Sequence, residues 1–191
     1  MRRETGKFVV HVTVSIYMRL LTWLFFATLS LILMLQLRGF DETLRTADTP
    51  GGIVGYELAW SAEQSSTYLD AWRSADALET AKVSLGIDFA FLLAYPLMFA
   101  TGAALLVRLP PTGTFDRVGA LLRRAVLLCI PLDATENVAL WRMIDHGASE
   151  SLAHLAAICA SIKFFLVIAT ALWCITAIFR RFIVRTPTPA G

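Results

Sequence analysis

The sequence is poor in the residues on which redox, haem and zinc chemistry depend. Its three cysteines all lie inside apolar runs, so no loop cysteines could form a disulfide framework, and no CxxC pair is present to catalyse thiol–disulfide exchange. None of its three histidines lies at the centre of a long apolar run, which excludes a pair of axial haem ligands. The sequence also lacks the clustered His and Cys of a zinc site.

Signals for nucleotide and nucleic-acid binding are missing as well. There is no Gly-rich phosphate-binding loop, no internal repeat, and no basic patch interleaved with aromatic residues. The formal net charge is only +2. We therefore predict no nucleic-acid partner, and no motif identifies a cofactor.

Hydrophobic residues, in contrast, are abundant. They make up 57% of the 191 residues, the mean hydropathy is +0.63, and the excess is concentrated in long runs. A helix of about 20 apolar residues crosses the hydrocarbon core of a bilayer. The sequence therefore predicts an all-α integral membrane protein with the lipid bilayer as its surroundings.

Four such runs predict a bundle of four transmembrane helices. The basic start followed by an apolar run resembles a secretory signal, but the run is too long and no small-residue cleavage pattern follows it, so the first span is predicted to be retained. The predicted segments are a basic N-terminal segment 1–19, span one 20–37, an acidic helical loop 38–83, span two 84–107, a loop 108–118, span three 119–143, a loop 144–151, span four 152–179, and a tail 180–191.

Charge asymmetry predicts the orientation of these spans. The N-terminal segment, the 108–118 region and the tail are rich in Arg and Lys, whereas the 38–83 loop has eight acids against four basic residues. The positive-inside rule places both termini in the cytoplasm and the 38–83 loop outside. A plasma membrane, such as a bacterial inner membrane, fits this pattern.

The 38–83 loop contains aromatic residues among its acids. After the turn at Pro50-Gly51-Gly52 its sequence is mostly compatible with helix and includes Tyr56, Trp60, Tyr68 and Trp72. Aromatics in such a setting suggest a helix that lies on the outer membrane face or caps the bundle. A solvated connecting helix is the alternative.

Polar residues interrupt the predicted third span. Asp133, Glu136 and Asn137 are spaced i, i+3 and i+4, which places them on one face of a helix. Ionisable residues inside a membrane are costly, and they usually pair with each other or mark a functional pathway. This segment is therefore the predicted centre of a site.

The second and fourth spans carry candidate partners. Asp88 and Tyr95 lie two turns apart on one face of the second span, and Lys163 shares a face of the fourth span with small residues such as Ala156 and Cys159. Small residues on one face indicate close helix packing in membranes. We therefore expect Lys163 to point into the bundle and to form one outward-facing site with the acids.

The charges of this site do not balance. Lys163 can neutralise only one of three acids, so the surplus needs a proton, a bound cation or water, and we predict that at least one acid is protonated at neutral pH. Its oxygen ligands would suit Mg²⁺, Ca²⁺ or Mn²⁺, but a lysine in the same site argues against a metal, and none is predicted. The alternative is a purely structural role, in which the polar group fixes the register of the bundle.

These residues predict a small membrane protein that binds a polar ligand, proton or cation in an intramembrane site, with transport as one use of it. Four spans without a repeat are few for alternating access, so a homo-oligomer could supply further walls. One alternative is an intramembrane enzyme acting on a lipid or isoprenoid substrate by acid–base chemistry. Another is a structural subunit of a membrane complex. The candidate ligand-binding residues are Asp88, Tyr95, Asp133, Glu136, Asn137 and Lys163.

Overall fold

The computed structural model describes residues 2–107 and 113–183, and it describes only the backbone of residues 2–15 and 182–183. This part of the chain is helical and contains no strand. Its elements are α1 (Arg2–Leu44), α2 (Gly52–Glu57), α3 (Ala62–Ser74), α4 (Leu78–Leu106), α5 (Thr114–Ala125), a 3₁₀ turn (Val126–Leu128), α6 (Cys129–His146) and α7 (Glu150–Ile183). Residues 108–112 of the predicted inner loop and 184–191 of the predicted tail lie outside the described residues.

Within the part of the chain that the structure describes, three helices are long and apolar enough to cross a membrane. They are the Ile16–Leu44 part of α1, all of α4, and the Glu150–Arg181 part of α7. Large apolar side chains such as Phe25, Phe165 and Leu172 are exposed along two of them, which is typical of helices surrounded by lipid rather than water. These three helices support the expectation of an all-helical, multi-pass membrane protein. The number of spans and their orientation stay predictions.

The long helices pack around α4. Helix α1 lies along α4, and α4 also contacts α5, α6 and α7. Helices α6 and α7 form a hairpin whose turn begins at Gly147, which has a φ of 93° that a residue with a Cβ rarely adopts. Ala153, Ala156 and Ala160 are buried on α7, and small side chains of this kind let helices approach closely.

The first helix is longer than predicted. We placed the end of span one at residue 37 and the start of span two at residue 84, because a charged and polar segment lies between them, but α1 continues to Leu44 and α4 already begins at Leu78. Charged residues interrupt an apolar run without interrupting a helix, since the backbone hydrogen bonds are made within the helix itself. Asp41 and Arg45, spaced i and i+4, form an ion pair of 2.8 Å at the extended end of α1.

The predicted third span, 119–143, is not one α-helix. It is divided into α5 and α6 by the 3₁₀ turn, and α6 is not among the helices long and apolar enough to cross a membrane by itself. Pro131 accounts for the break. It lacks an N–H to donate to the carbonyl of Leu127, and its ring would crowd that carbonyl, so the helix tightens at this turn.

Helices α2 and α3, here called the cap, fold back onto one end of the bundle. Trp72 is fully buried and its indole N–H donates a 2.7 Å hydrogen bond to the carbonyl of Leu44, while the Tyr56 hydroxyl donates to the carbonyl of Leu140 at 3.3 Å. The carboxylate of Glu150, at the start of α7, accepts from the backbone N–H of Ala62 at 2.7 Å. Of the two arrangements considered for this segment, the structure has the packed one rather than a solvated connector.

At the opposite end of the bundle, α5 packs closely on α7, and Gly119 allows this close approach. The Trp173 indole stacks on Phe115, with ring centroids 5.2 Å apart, and donates to the Phe115 carbonyl at 3.0 Å. A Cβ at Gly119 would collide with this buried indole. Glycine is therefore required here by close approach, although it weakens a helix intrinsically.

We expect Gly119→Ala to destabilise the protein by about 1–3 kcal/mol, because the added Cβ would force the buried indole out of its stacked and hydrogen-bonded position against Phe115. Thermal unfolding in lipid nanodiscs would measure the change. Gly39→Ala is the matched control, since a Cβ there has open space and alanine favours the helix. Equal effects of the two substitutions would contradict the role assigned to Gly119.

Candidate functional site

Lys163 lies at the centre of a buried charged group. Its ammonium Nζ is 2.9 Å from Asp133 Oδ1, 2.8 Å from Glu136 Oε1 and 3.4 Å from Glu57 Oε2. The lysine is 6% exposed, and Asp133 and Glu136 are at most 1% exposed. One cation is therefore surrounded by three carboxylates that come from α2 and α6.

Helix geometry explains why these groups meet. Asp133 and Glu136 lie one turn apart on α6 and face α7, so both can reach the same ammonium. The Cα–Cβ bond of a helical residue tilts towards the N-terminus of its helix, and the N-terminal end of α7 is where the cap is attached. The Lys163 side chain therefore extends towards the cap and reaches Glu57.

Tyr95 and Asp88 on α4 complete the polar group. The Tyr95 hydroxyl donates to Asp133 Oδ2 at 3.0 Å, so both oxygens of that carboxylate have partners. The Asn137 amide donates to Asp88 Oδ2 at 2.6 Å. The structure thus brings all six predicted residues into two neighbouring hydrogen-bonded sets, one around Lys163 and one formed by Asp88 and Asn137. Their role in binding a ligand stays a prediction.

Glu57 is the residue that sequence reasoning missed. We counted it among the acids of the outer loop, yet it is only 8% exposed and contacts Lys163. A signal was present in the sequence, because Glu57 follows Tyr56 in a stretch of apolar and aromatic residues. Amphipathic analysis could not find it, since one and a half turns of helix give too few positions to define a face.

Two buried acceptors in this group have no hydrogen-bond partner among the described residues. They are Glu136 Oε2 and Asn137 Oδ1, and both side chains are fully buried. A buried polar atom without a partner costs roughly 1–3 kcal/mol, so native structures rarely keep one without water, a ligand or a proton to satisfy it. Glu136 Oε2 and Asn137 Oδ1 can therefore each accept a proton or a hydrogen bond.

A cavity of about 570 Å³ adjoins the charged group. Its wall includes Glu57, Asp88, Tyr95, Asp133 and Lys163, whereas Glu136 and Asn137 lie behind that wall. Small-molecule sites typically enclose roughly 300–1,000 Å³ and combine an apolar lining with a few polar groups. The charged group is therefore positioned where a molecule in the cavity would contact it.

The carboxylates do not converge as a metal site. Within residues 2–107 and 113–183, no group of three or more His, Cys, Asp and Glu side chains has the arrangement to hold a metal ion. The Lys163 ammonium occupies the position between Asp133 and Glu136 where a cation would be attracted. The geometry thus supplies one internal cation to three carboxyl groups.

Glu57 lies outside the apolar helices and is sensitive to pH. Burial raises the pKa of Glu57 above its ordinary value of 4.5. Lys163 lowers this pKa and the Asp133 charge raises it, and the net change is upward. Folding therefore favours the protonated carboxyl. The stability that Glu57 contributes is fully present below about pH 4.5 and is lost as the pH rises through the raised pKa.

We expect Glu57→Gln, which is always neutral, to gain stability relative to the native protein as the pH rises from 4.5 to 8. Melting temperatures of the two proteins across this range would show a difference that widens with pH. Glu63→Gln, at an exposed position on α3, is the control and should follow the native curve. Parallel curves for Glu57→Gln and the native protein would contradict a raised pKa.

Comparison with protein-family models, with curated proteins and with solved structures finds no match to this chain. The chemistry of the site therefore has to be inferred from its own residues, distances and charges.

Proposed function

We propose that the protein crosses the membrane four times, with α5 and α6 together as the third span. Asp133, Glu136 and Asn137 of α6 face the bundle, while Leu127, Leu128 and Val138 are exposed, as a lipid-facing surface requires. Helix α6 alone, at 18 residues, is about 27 Å long, and α5 extends it towards the other side.

The arrangement of charge supports an orientation with both termini in the cytoplasm and the cap outside. Arginines of α5 and of the end of α7 lie at the end of the bundle away from the cap, where Arg181 donates to the carbonyls of Leu105 and Leu106 at 3.1 Å. The cap and its flanks carry the acids. By the positive-inside rule this orientation fits a plasma membrane such as a bacterial inner membrane.

In this bundle we infer a ligand-binding function for the charged group centred on Asp133 and Lys163. The observation that carries it is one buried ammonium held by three carboxylates at the wall of a 570 Å³ cavity. A structural ion pair needs one acid, not three, and it needs no cavity. A polar ligand, a proton or a cation that supplies positive charge or hydrogen-bond donors would satisfy the surplus acids.

Transport is one use of such a site, because a proton or cation held between several carboxylates is easily exchanged with a ligand. A single copy of the chain offers few helices for alternating access, so a transporter would use a homo-oligomer. The outward-facing position of the site, beneath the cap, places it on the extracytoplasmic half of the bundle in the proposed orientation.

Asp133→Asn tests this function. The variant should remain folded, because Glu136 still neutralises Lys163 and the amide oxygen can still accept from Tyr95. Losing a charge-assisted hydrogen bond should weaken ligand binding by about tenfold to 100-fold. Native mass spectrometry of the gently purified protein would show a retained mass that the variant lacks.

Asp70→Asn is the matched control, since Asp70 is exposed on α3 and pairs only with Arg73. It should retain the same mass as the native protein. A retained mass on all three proteins would contradict Asp133 as the centre. No retained mass, with a second protein chain copurifying instead, would favour the structural-subunit alternative.

An intramembrane enzyme acting on a lipid or isoprenoid is the second candidate, and the apolar wall of the cavity next to its acids favours it. Glu136 would then hold or release a proton through its unpartnered oxygen. Turnover of a lipid substrate that is lost in Glu136→Gln would identify the enzyme. Binding without turnover would identify the ligand-binding protein.

A further inference from the structure

The cavity is long and narrow rather than round. One face of α1 lines it from Ala27 to Asp41, and one face of α4 lines it from Ser84 to Phe99. At 1.5 Å per residue these faces extend about 20 Å along the bundle. A third wall comes from α7 at Lys163, Phe164 and Val167. This shape suits an extended chain better than a compact solute.

Polarity changes along the length of the cavity. The end near the cap carries Glu57, Asp88 and Lys163, whereas the other end is lined by apolar side chains such as Met98 and Val167. A molecule that fills the whole cavity would need a polar head and an apolar tail. This polarity therefore selects an amphiphile over a purely polar ligand.

The cavity opens sideways, between α1 and α7. Leu31 and Met34 line it and are nevertheless 51% and 49% exposed, so the cavity reaches the surface along this part of α1. Helix α1 packs on α4 and α2, and α7 packs on α4, α5 and α6. A surface opening between two apolar helices would face the hydrocarbon of a bilayer.

A hydroxyl inside the cavity has no partner. Ser30 is 4% exposed, lines the cavity from α1, and its Oγ makes no hydrogen bond within the described residues. A serine or threonine inside a helix commonly donates to the carbonyl four residues earlier, as Ser161 and Thr170 do here. Ser30 lies near the Ala27 end of the cavity, away from the cap, so its hydroxyl is the polar group beside the apolar part of the cavity.

The charges around the cavity define the head group. Four carboxylates line it against two basic side chains, and one of those carboxylates, Asp41, is already held by Arg45 and the Ile53 backbone N–H. The remaining acids offer acceptors and would repel a carboxylate or phosphate. A head group that donates hydrogen bonds, either a hydroxyl or an ammonium, complements them.

From these observations we propose that the ligand is a single-chain amphiphile with a hydrogen-bond-donating head group, which reaches the site from the bilayer through the opening between α1 and α7. The proposal rests on the proposed ligand-binding function and names the class of ligand and its route. The head would contact Glu57, Asp88 and Lys163, and the tail would lie along α1 and α4.

A head-group series tests the ligand class. Hexadecanol, hexadecylamine and hexadecanoate share one chain and differ only in the head, and each would be added to the full-length protein in nanodiscs and followed by native mass spectrometry. We expect the alcohol or the amine to bind at least about tenfold more tightly than hexadecanoate, and the better of the two identifies the head group. Equal or tighter binding of hexadecanoate would overturn the proposal.

Two substitutions test the route and the hydroxyl. Met34→Trp should slow association of the preferred probe by about tenfold by filling the opening, whereas Leu35→Trp, at a neighbouring position that is 56% exposed but outside the cavity, should not. Ser30→Ala should keep the fold, since it removes an unpartnered group, and should leave binding of the probe unchanged, because Ser30 lies about 16 Å along α1 from Asp41, beside the tail. A loss of tenfold or more would overturn the placement of the head group at the cap end.

The outcomes separate this proposal from the proposed function. If a water-soluble ligand is retained by the native protein, lost in Asp133→Asn and unaffected by Met34→Trp, the site stands and the amphiphile and its route are overturned. If no hexadecyl probe binds the native protein, the amphiphile is also overturned. Slower association in Met34→Trp but not in Leu35→Trp supports the lateral route.

Discussion

Replacement of Lys163 with methionine is expected to destabilise the protein by about 3–5 kcal/mol, one of the two largest effects of any single substitution predicted here. Methionine keeps much of the apolar stem but removes the ammonium that lies within 3.4 Å of three carboxylates. Those carboxylates would then remain buried without a cation. Equilibrium unfolding in mixed micelles, with the native protein in parallel, would measure the loss.

Two further variants make this prediction specific. Lys82→Met also removes a lysine from two acids, Glu79 and Asp145, but at the surface, where the loss should be small. Adding Glu136→Gln to Lys163→Met should restore part of the stability, because one unpaired buried charge disappears. A Lys163→Met protein as stable as Lys82→Met would show that the acids are already neutral in the native state.

Trp72→Ala is expected to cost a similar amount, about 3–5 kcal/mol, and to release the cap. The indole is fully buried, packs edge-on against Tyr56 with centroids 5.0 Å apart, and donates to the Leu44 carbonyl. Its loss leaves a large cavity and removes one of the two side-chain hydrogen bonds to that carbonyl, the other coming from the Thr49 hydroxyl. Hydrogen–deuterium exchange should rise across α2 and α3 while the long helices stay protected.

Trp60→Ala is the matched control, because Trp60 lies in the same region but is largely exposed. It should change neither stability nor exchange appreciably. If Trp72→Ala leaves exchange in the cap unchanged, then the cap is held by its other contacts, such as the hydrogen bond from Ala62 to Glu150.

Much of the bundle could be predicted because its causes are local in the sequence. Long apolar runs predict membrane helices, and the i, i+3, i+4 spacing of Asp133, Glu136 and Asn137 predicts a shared face. The small residues near Lys163 predict that its side chain points into the bundle, and in the structure this side chain is buried against Asp133. The ends of the helices were less predictable, since a charge marks where hydrocarbon ends and not where a helix ends.

The rest of the site depends on contacts between residues far apart in the chain. Glu57 meets Lys163 only because the cap folds back, and that fold depends on Trp72 reaching the end of α1 and Tyr56 reaching α6. No periodic pattern encodes such a return. The division of α5 from α6 was predictable in principle, because Pro131 removes one helical hydrogen bond at a known position.

Lys163 couples the cap to the interior of the bundle, because the same ammonium contacts Glu57 of the cap and two acids of α6. Its distance to Glu57, 3.4 Å, is longer than its 2.8 and 2.9 Å contacts with α6, so the cap is the partner that the ammonium holds least tightly. A cavity ligand that competes for the ammonium would loosen the cap. The linkage is reciprocal. If the cavity ligand changes the affinity of the cap for an outer partner by some factor, that partner changes the affinity of the cavity for its ligand by the same factor.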